Sequence, residues 1–130
     1  MELGQASPSL VVQHMRRKIS KQAAYALRNG ETFKQGNTVV DGVAMYVHGS
    51  CIAARMPHGV QFSMAGWATK LTRERLNAVF DVLGIKGQVH QSKGEQVLSL
   101  NGRDIVLDAH EVYLIDEQFE VAPYFDVIPI

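Results

Sequence analysis

Between Thr38 and Met64, short apolar runs alternate with turn signals at a spacing that suits an antiparallel β-meander. Val40-Asp41-Gly42-Val43 carries a two-residue Asp-Gly hairpin signal, and His48-Gly49-Ser50-Cys51 carries a second with glycine first. Pro57-His58-Gly59 supplies a three-residue loop. Pairing across these turns sets Val40 against Val43, Thr38 against Met45, Val47 against Ile52, Met45 against Ala54 and Val43 against Met56. It also sets Met56 against Val60, Ala54 against Phe62 and Ile52 against Met64. One face then collects Val43, Met45, Val47, Ile52, Ala54, Met56, Val60, Phe62 and Met64. A slip of one residue would turn that whole set outward. The opposite face carries Tyr46, His48, Cys51, Ala53, Arg55 and Gln61, a mixed surface that is either a site or the seat of another element.

After this meander, Thr72 reads as a helix N-cap, with Leu71 and Leu76 as a hydrophobic staple and Leu76, Val79, Phe80 and Leu83 at helical spacing. Gly84 ends a helix of roughly Arg73 to Leu83, with Ile85 placed to contact Phe80 as in a Schellman motif. A second meander follows, turning at Lys93-Gly94 and Asn101-Gly102. It aligns Val89, Leu98 and Ile105 on one face and His90, Val97 and Val106 on the other. Asp108 and Glu111 form a capping-box pattern with Leu107 and Val112 as its staple, which predicts a turn or two of helix. Residues 117 to 130 run extended. Upstream, Ser20 caps a short Ala-rich helix that Gly30 ends, and residues 1 to 14 read as a loose N-terminal arm. The expectation is an α+β fold: two antiparallel β-meanders flanking a central helix, with a short N-terminal helix, in one domain over residues 15 to 130.

A chain of 130 residues with 46% hydrophobic residues suits one globular domain that needs no disulfide or metal. Its single cysteine cannot form an internal bridge, which fits a reducing compartment. Its apolar runs fall far short of the roughly 18 residues needed to span a membrane, so no membrane association is expected. Net charge is zero but unevenly spread. Residues 1 to 94 are basic in excess, and from Glu95 onward only Arg103 opposes eight carboxylates. Such a split marks a basic binding face, an acidic partner-facing surface or head-to-tail self-association into a homo-oligomer, unless the halves neutralise each other within the fold.

His48 and Cys51 have the spacing of a zinc pair, but the second pair a structural site requires is missing, so no metal is expected. Asp108, His110 and Glu111 lie close in sequence, yet no nucleophile elbow accompanies them and the capping box explains the two carboxylates. Phosphate-loop and dinucleotide patterns are absent, so no cofactor is implied. With no catalytic residues to name, the chain reads as a non-enzyme; an enzyme using His110 or His48 is the minority reading.

The segment Trp67 to Arg75 is more informative. Arg73 and Arg75 fall in the first turn of the expected helix, with Lys70 just before them and Trp67 nearby. Free N–H groups at a helix start, two arginines and an aromatic ring make an anion or phosphate site. Alternatively, Trp67 packs over the helix start and the arginines pair with Glu74, Asp81 or the acidic C-terminal stretch. Arg16, Arg17, Lys18 and Lys21 add a basic cluster at the start of the first expected helix, either a solvated terminus or a nucleic-acid contact.

Several strings together resemble a group of small, uncharacterised accessory proteins encoded by bacteriophages and prophages. They are Phe33 with Gly36-Asn37-Thr38, Tyr46-Val47-His48-Gly49 with Ile52-Ala53, and Ala65-Gly66-Trp67 running into Thr72-Arg73-Glu74-Arg75-Leu76-Asn77-Ala78. The likeness covers Met15 to Ala78 well and the second meander loosely. It implies a protein acting in the host-cell cytoplasm and carries no catalytic residues to transfer. The leading expectation is a non-enzymatic binding protein that modulates host machinery or host defence through a host protein. The alternative is nucleic-acid or nucleotide binding at the basic helix start. The binding candidates are Trp67, Lys70, Arg73, Arg75, Tyr46 and His48.

Overall fold

The computed structural model describes residues 8–123. In chain order the elements are α1 (Pro8–Asn29), β1 (Thr32–Gln35), β2 (Thr38–Asp41), β3 (Ala44–Val47), β4 (Ser50–Met56), β5 (Gly59–Ser63), α2 (Lys70–Val82), β6 (Gly87–Ser92), β7 (Glu95–Leu100), β8 (Arg103–Leu107), β9 (Val112–Asp116) and β10 (Val121–Pro123). They build two antiparallel sheets, a seven-stranded one ordered β1-β2-β3-β4-β5-β9-β10 and a three-stranded one ordered β6-β7-β8. The fold is therefore α+β, with a meander on either side of the central helix α2. No helix among the described residues is long and apolar enough to cross a membrane.

α1 is not the short helix expected. It runs for 22 residues from Pro8, so residues 8–14, expected within a loose arm, form its first turns, while residues 1–7 lie outside the described residues. Ser20 does not cap it: the hydroxyl sits in mid-helix, buried, and accepts a hydrogen bond from Arg75 Nη1. Ala23, Ala24, Ala26 and Leu27 are buried, and their small side chains let the helix lie close against α2 and the sheet. Gly30, at φ 71°, closes the helix, with the Glu31 N–H donating to Ala26 O over 2.8 Å.

α2 begins earlier than the sequence suggests, because its N-cap is Thr69 and not Thr72. Thr69 Oγ1 accepts from the Thr72 N–H over 3.2 Å. The end follows expectation. Gly84, at φ 77°, lets Ile85 N–H donate to Phe80 O over 2.8 Å, and Ile85 is buried. Leu76, Val79 and Phe80 are fully buried. Phe80 meets Phe62 edge-on at 5.3 Å between ring centroids, and Phe62 stacks on Tyr113 at 5.5 Å, so three aromatics tie α2 to the middle of the large sheet.

The first meander forms, but its register differs from the expected one. Val40 pairs with Met45 and Thr38 with Val47, two residues further along β3 than expected. The cause is a wider turn: Asp41 Oδ1 accepts from both the Val43 and Ala44 N–H groups, holding Val43 out of the pairing with β2 and half exposed, while its carbonyl accepts from the Arg55 N–H of β4. The next turn is His48-Gly49, closed by Val47 opposite Ser50, and a bulge between Met45 and Tyr46 then shifts β4 by one residue. The β4–β5 turn is also shorter than expected, since Met56 pairs with Gly59 and only Pro57-His58 lie between them, so Ala53 and Arg55 oppose Phe62 and Val60, where Ala54 and Met56 were expected. A further strand, β1, pairs with β2 across a Gly36-Asn37 turn.

The second meander keeps the expected register, with Val89 opposite Leu98 and Leu98 opposite Ile105. Asp108 does not start a helix. Its Oδ1 accepts from the His110 N–H in a turn, and the chain re-enters the large sheet as β9 beside β5. There the alternation of buried Tyr113 and Ile115 with half-buried Val112 and Leu114 outweighs the capping-box pattern. Within the expected extended segment, β10 pairs with β9; residues 124–130 lie outside the described residues.

Candidate functional site

Three loops converge at one end of the large sheet. His48 and Gly49 turn β3 into β4 with positive φ at both residues, 51° and 79°, as a type I′ hairpin requires. Ala65 and Gly66 turn the chain after β5, also with positive φ, and Gly66 N–H donates to Ala109 O over 2.7 Å. Ser63 Oγ fastens the same corner, donating to Glu111 O and accepting from the Ala65 N–H. A side chain at Gly66 would lie 3.1 Å from the His110 ring, so His110 rests directly on that glycine.

This corner presents Trp67, which is 53% exposed, with its ring centroid 6.3 Å from that of the exposed His48. Lys70, also exposed, begins α2 just beyond. Of the six binding candidates, the structure brings Trp67 and His48 together. Ser63, Gly66 and His110 build the corner and were not among the binding candidates; Gly66 directly before the tryptophan was the available signal.

Arg75 belongs elsewhere. It is buried, and its guanidinium donates to Thr38 Oγ1 over 3.0 Å, to Arg16 O over 3.0 Å and to Ser20 Oγ. Burial disfavours its charged form, and neutral oxygens from α1 and β2 supply the compensating hydrogen bonds. It is thus a strut joining α1, α2 and β2, turned away from solvent. Arg73 is half-buried at the foot of the second meander, with Nη1 donating to Ala68 O, Gln91 Oε1 and Gln96 Oε1. Among the described residues neither arginine takes a carboxylate partner of its own, and the ion pairs of this region are Arg16 with Glu74 and Lys21 with Asp81. The basic cluster on α1 is thereby half consumed in the seam between the helices, leaving Arg17 and Lys18 exposed. At the N-terminal end of α2, Thr69 Oγ1 already takes the Thr72 N–H, one of the groups that an anion there would use.

Tyr46 is half-buried and its hydroxyl donates to Asp41 Oδ2 over 3.3 Å. Burial, then the Asp41 charge, raises its pKa, while the Val43 and Ala44 amides hold the Asp41 carboxyl below its usual range. Tyr46 thus serves the β2–β3 turn.

Nucleophilic chemistry finds no support among the described residues. Burial pushes the Cys51 thiol up to about 11, so it is protonated at neutral pH. Ser99 lies between His90 Nε2 at 2.9 Å and Asp104 Oδ1 at 2.6 Å. Its hydroxyl donates to the carboxylate, so His90 donates to Ser99 and is not placed to take its proton, the reverse of an activated serine. No group of three His, Cys, Asp or Glu among the described residues could hold a metal ion. A depression of about 640 Å³ between Asp81, Lys86, Gln88, Ser99 and Asn101 includes none of the six binding candidates.

A family model described as Kyanoviridae Gp96 protein matches residues 16–125, which takes in both meanders and α2. No curated protein and no solved structure matches the chain.

Proposed function

The chain belongs to the Kyanoviridae Gp96 protein family and is phage-encoded, and from this premise we propose that it is a non-enzymatic binding protein that modulates host machinery or host defence. The contact surface is the corner around Trp67. The observation that carries this reading is the half-exposed Trp67 beside exposed His48 on loops fixed by hydrogen bonds. An aromatic ring held out on a rigid scaffold supplies large contact area at little entropic cost, which is why tryptophan is enriched at interface hot spots. A host protein is the partner class this surface suits best.

The test is native mass spectrometry of the tagged protein recovered from host-cell lysate at low salt. A stoichiometric host protein retained by the native chain and lost by Trp67→Ala supports the reading. Retention by both variants, or reproducible turnover of a substrate that one side-chain change removes, overturns it.

Nucleic-acid binding is the second reading, favoured by exposed Lys70 next to a ring on which a base can stack. It requires Trp67 fluorescence to quench on addition of single-stranded oligonucleotide, with an affinity that falls steeply with salt. Because Arg75 is a buried strut, Lys70→Ala is the clean variant for that test.

A further inference from the structure

Among the described residues the two sheets have four edge strands, and three carry a device that blocks further pairing. β1 is four residues long and places Lys34 at an outward-facing position. β10 is three residues long and ends in Pro123. β6 is sealed by a side chain: Asn77 of α2 accepts from Val89 N–H over 2.6 Å and donates to Val89 O over 2.9 Å, standing where a neighbouring strand would stand. β8 is longer, at five residues, has no proline and carries one outward-facing charge, Asp104; among the described residues no side chain is bonded along its outer edge and no strand pairs with that edge.

The ladder fixes which groups β8 offers. The Asn101-Gly102 turn closes on Leu100 opposite Arg103, so Arg103, Ile105 and Leu107 direct their backbone groups at β7. The N–H and C=O groups of Asp104 and Val106 point outward. The open stretch stops at Asp108, whose N–H donates to Tyr113 Oη. Val106 is 58% exposed and shares its face of the strand with the exposed carboxylate of Asp104, and exposed Asp108 follows directly after the strand's end, its Oδ1 accepting from the His110 N–H. Arg103, the one cation of the strand, is paired with Glu120.

We propose that the open edge of β8 receives an extended segment of another protein by β-strand addition, and that the segment reads basic-x-apolar-x-basic. Backbone bonds to Asp104 and Val106 give the affinity, the apolar residue covers Val106, and the two cations meet Asp104 and Asp108. The proposal does not depend on Trp67, so its failure leaves the function proposed above untouched.

The test uses the isotopically labelled full chain and a capped peptide, Thr-Lys-Thr-Val-Thr-Lys-Thr. Amide shifts and slowed hydrogen exchange are expected at Asp104 and Val106 and not at Val89, with no response to the same peptide carrying Glu in place of Lys. Val106→Pro removes an N–H that β7 does not use, so the fold persists and binding weakens about tenfold, the worth of one backbone hydrogen bond. Asp104→Lys, independent of that backbone change, shifts the preference toward the acidic peptide. Equal binding of both peptides to the native chain, shifts confined to other strands, or concentration-dependent shifts at these amides without peptide, which would make the occupant a second copy, each overturn the proposal.

Discussion

Arg75 donates from Nε to Thr38 Oγ1 over 3.0 Å, joining the first turns of α2 to the start of β2 inside the protein. With Ser20 and Arg16 O as its other acceptors, this one side chain holds three elements together. Removing it leaves buried oxygens unpaired. Arg75→Ala is expected to cost about 2–5 kcal/mol and Ser20→Ala about 1.5–3 kcal/mol, read by urea unfolding followed through Trp67 fluorescence. Lys70→Ala, at an exposed position, should stay within about 0.5 kcal/mol of the native chain.

Asn77→Ala should act twice. The two lost bonds to Val89 lower stability by about 1–3 kcal/mol, and the bared edge of β6 promotes strand pairing between molecules. Thermal unfolding checks the first effect. Light scattering of the folded variant checks the second, and a monodisperse monomer at high concentration would count against it.

Gly59 pairs with Asp116 at the start of β5 and leaves no room there for a side chain. A side-chain carbon there would lie 2.1 Å from Ile115 O and 3.0 Å from Asp116 Cα, both backbone atoms. Gly59→Ala is therefore expected to cost about 3 kcal/mol or more, whereas Gly94→Ala, with open space around it, pays chiefly for its positive φ, about 1–2 kcal/mol. The gap between their urea midpoints measures the difference.

The Cys51 thiol gives a pH prediction. With its folded pKa raised from 9.0 to about 11 by burial, only about one molecule in a thousand holds a thiolate at pH 8. Alkylation of the native chain should be slow at pH 8 and climb toward pH 11. The sign for stability follows, since the folded state favours the protonated thiol: this contribution is fully present below about pH 9 and is lost as pH rises toward 11. Cys51→Ala should flatten that alkaline loss.

How much of this was legible in the sequence depended on the turns. Lys93-Gly94 and Asn101-Gly102 each place two residues at positive φ and add no extra residue, so the register of the second meander could be counted off directly. The first meander has a widened turn at Asp41 and a bulge at Met45 and Tyr46, and neither leaves a mark in the apolar alternation that would locate it. At Asp108 the capping-box residues are present, but the need of β5 for a partner strand governs the outcome. Trp67 and His48 were each recognisable as candidates, while their adjacency arises only once two loops meet. Arg75 misleads for a simple reason: an arginine near a helix start reads as a surface group, and only the position of α1 and β2 makes it an interior one.

The pairing of β5 with β9 has a consequence for how the protein is made. Gly59–Ser63 leaves the ribosome well before Val112–Asp116, and at about 5–20 residues per second the interval is roughly 2 to 10 s. During that time the nascent chain can complete α1 and the first five strands, yet one side of β5, including Phe62, has no neighbour. The second meander is synthesised within this interval and can close on itself by local contacts, whereas the large sheet is completed only when the chain returns to it as β9. Until that return, the unpaired side of β5 is open to capture by a chaperone or by another nascent copy.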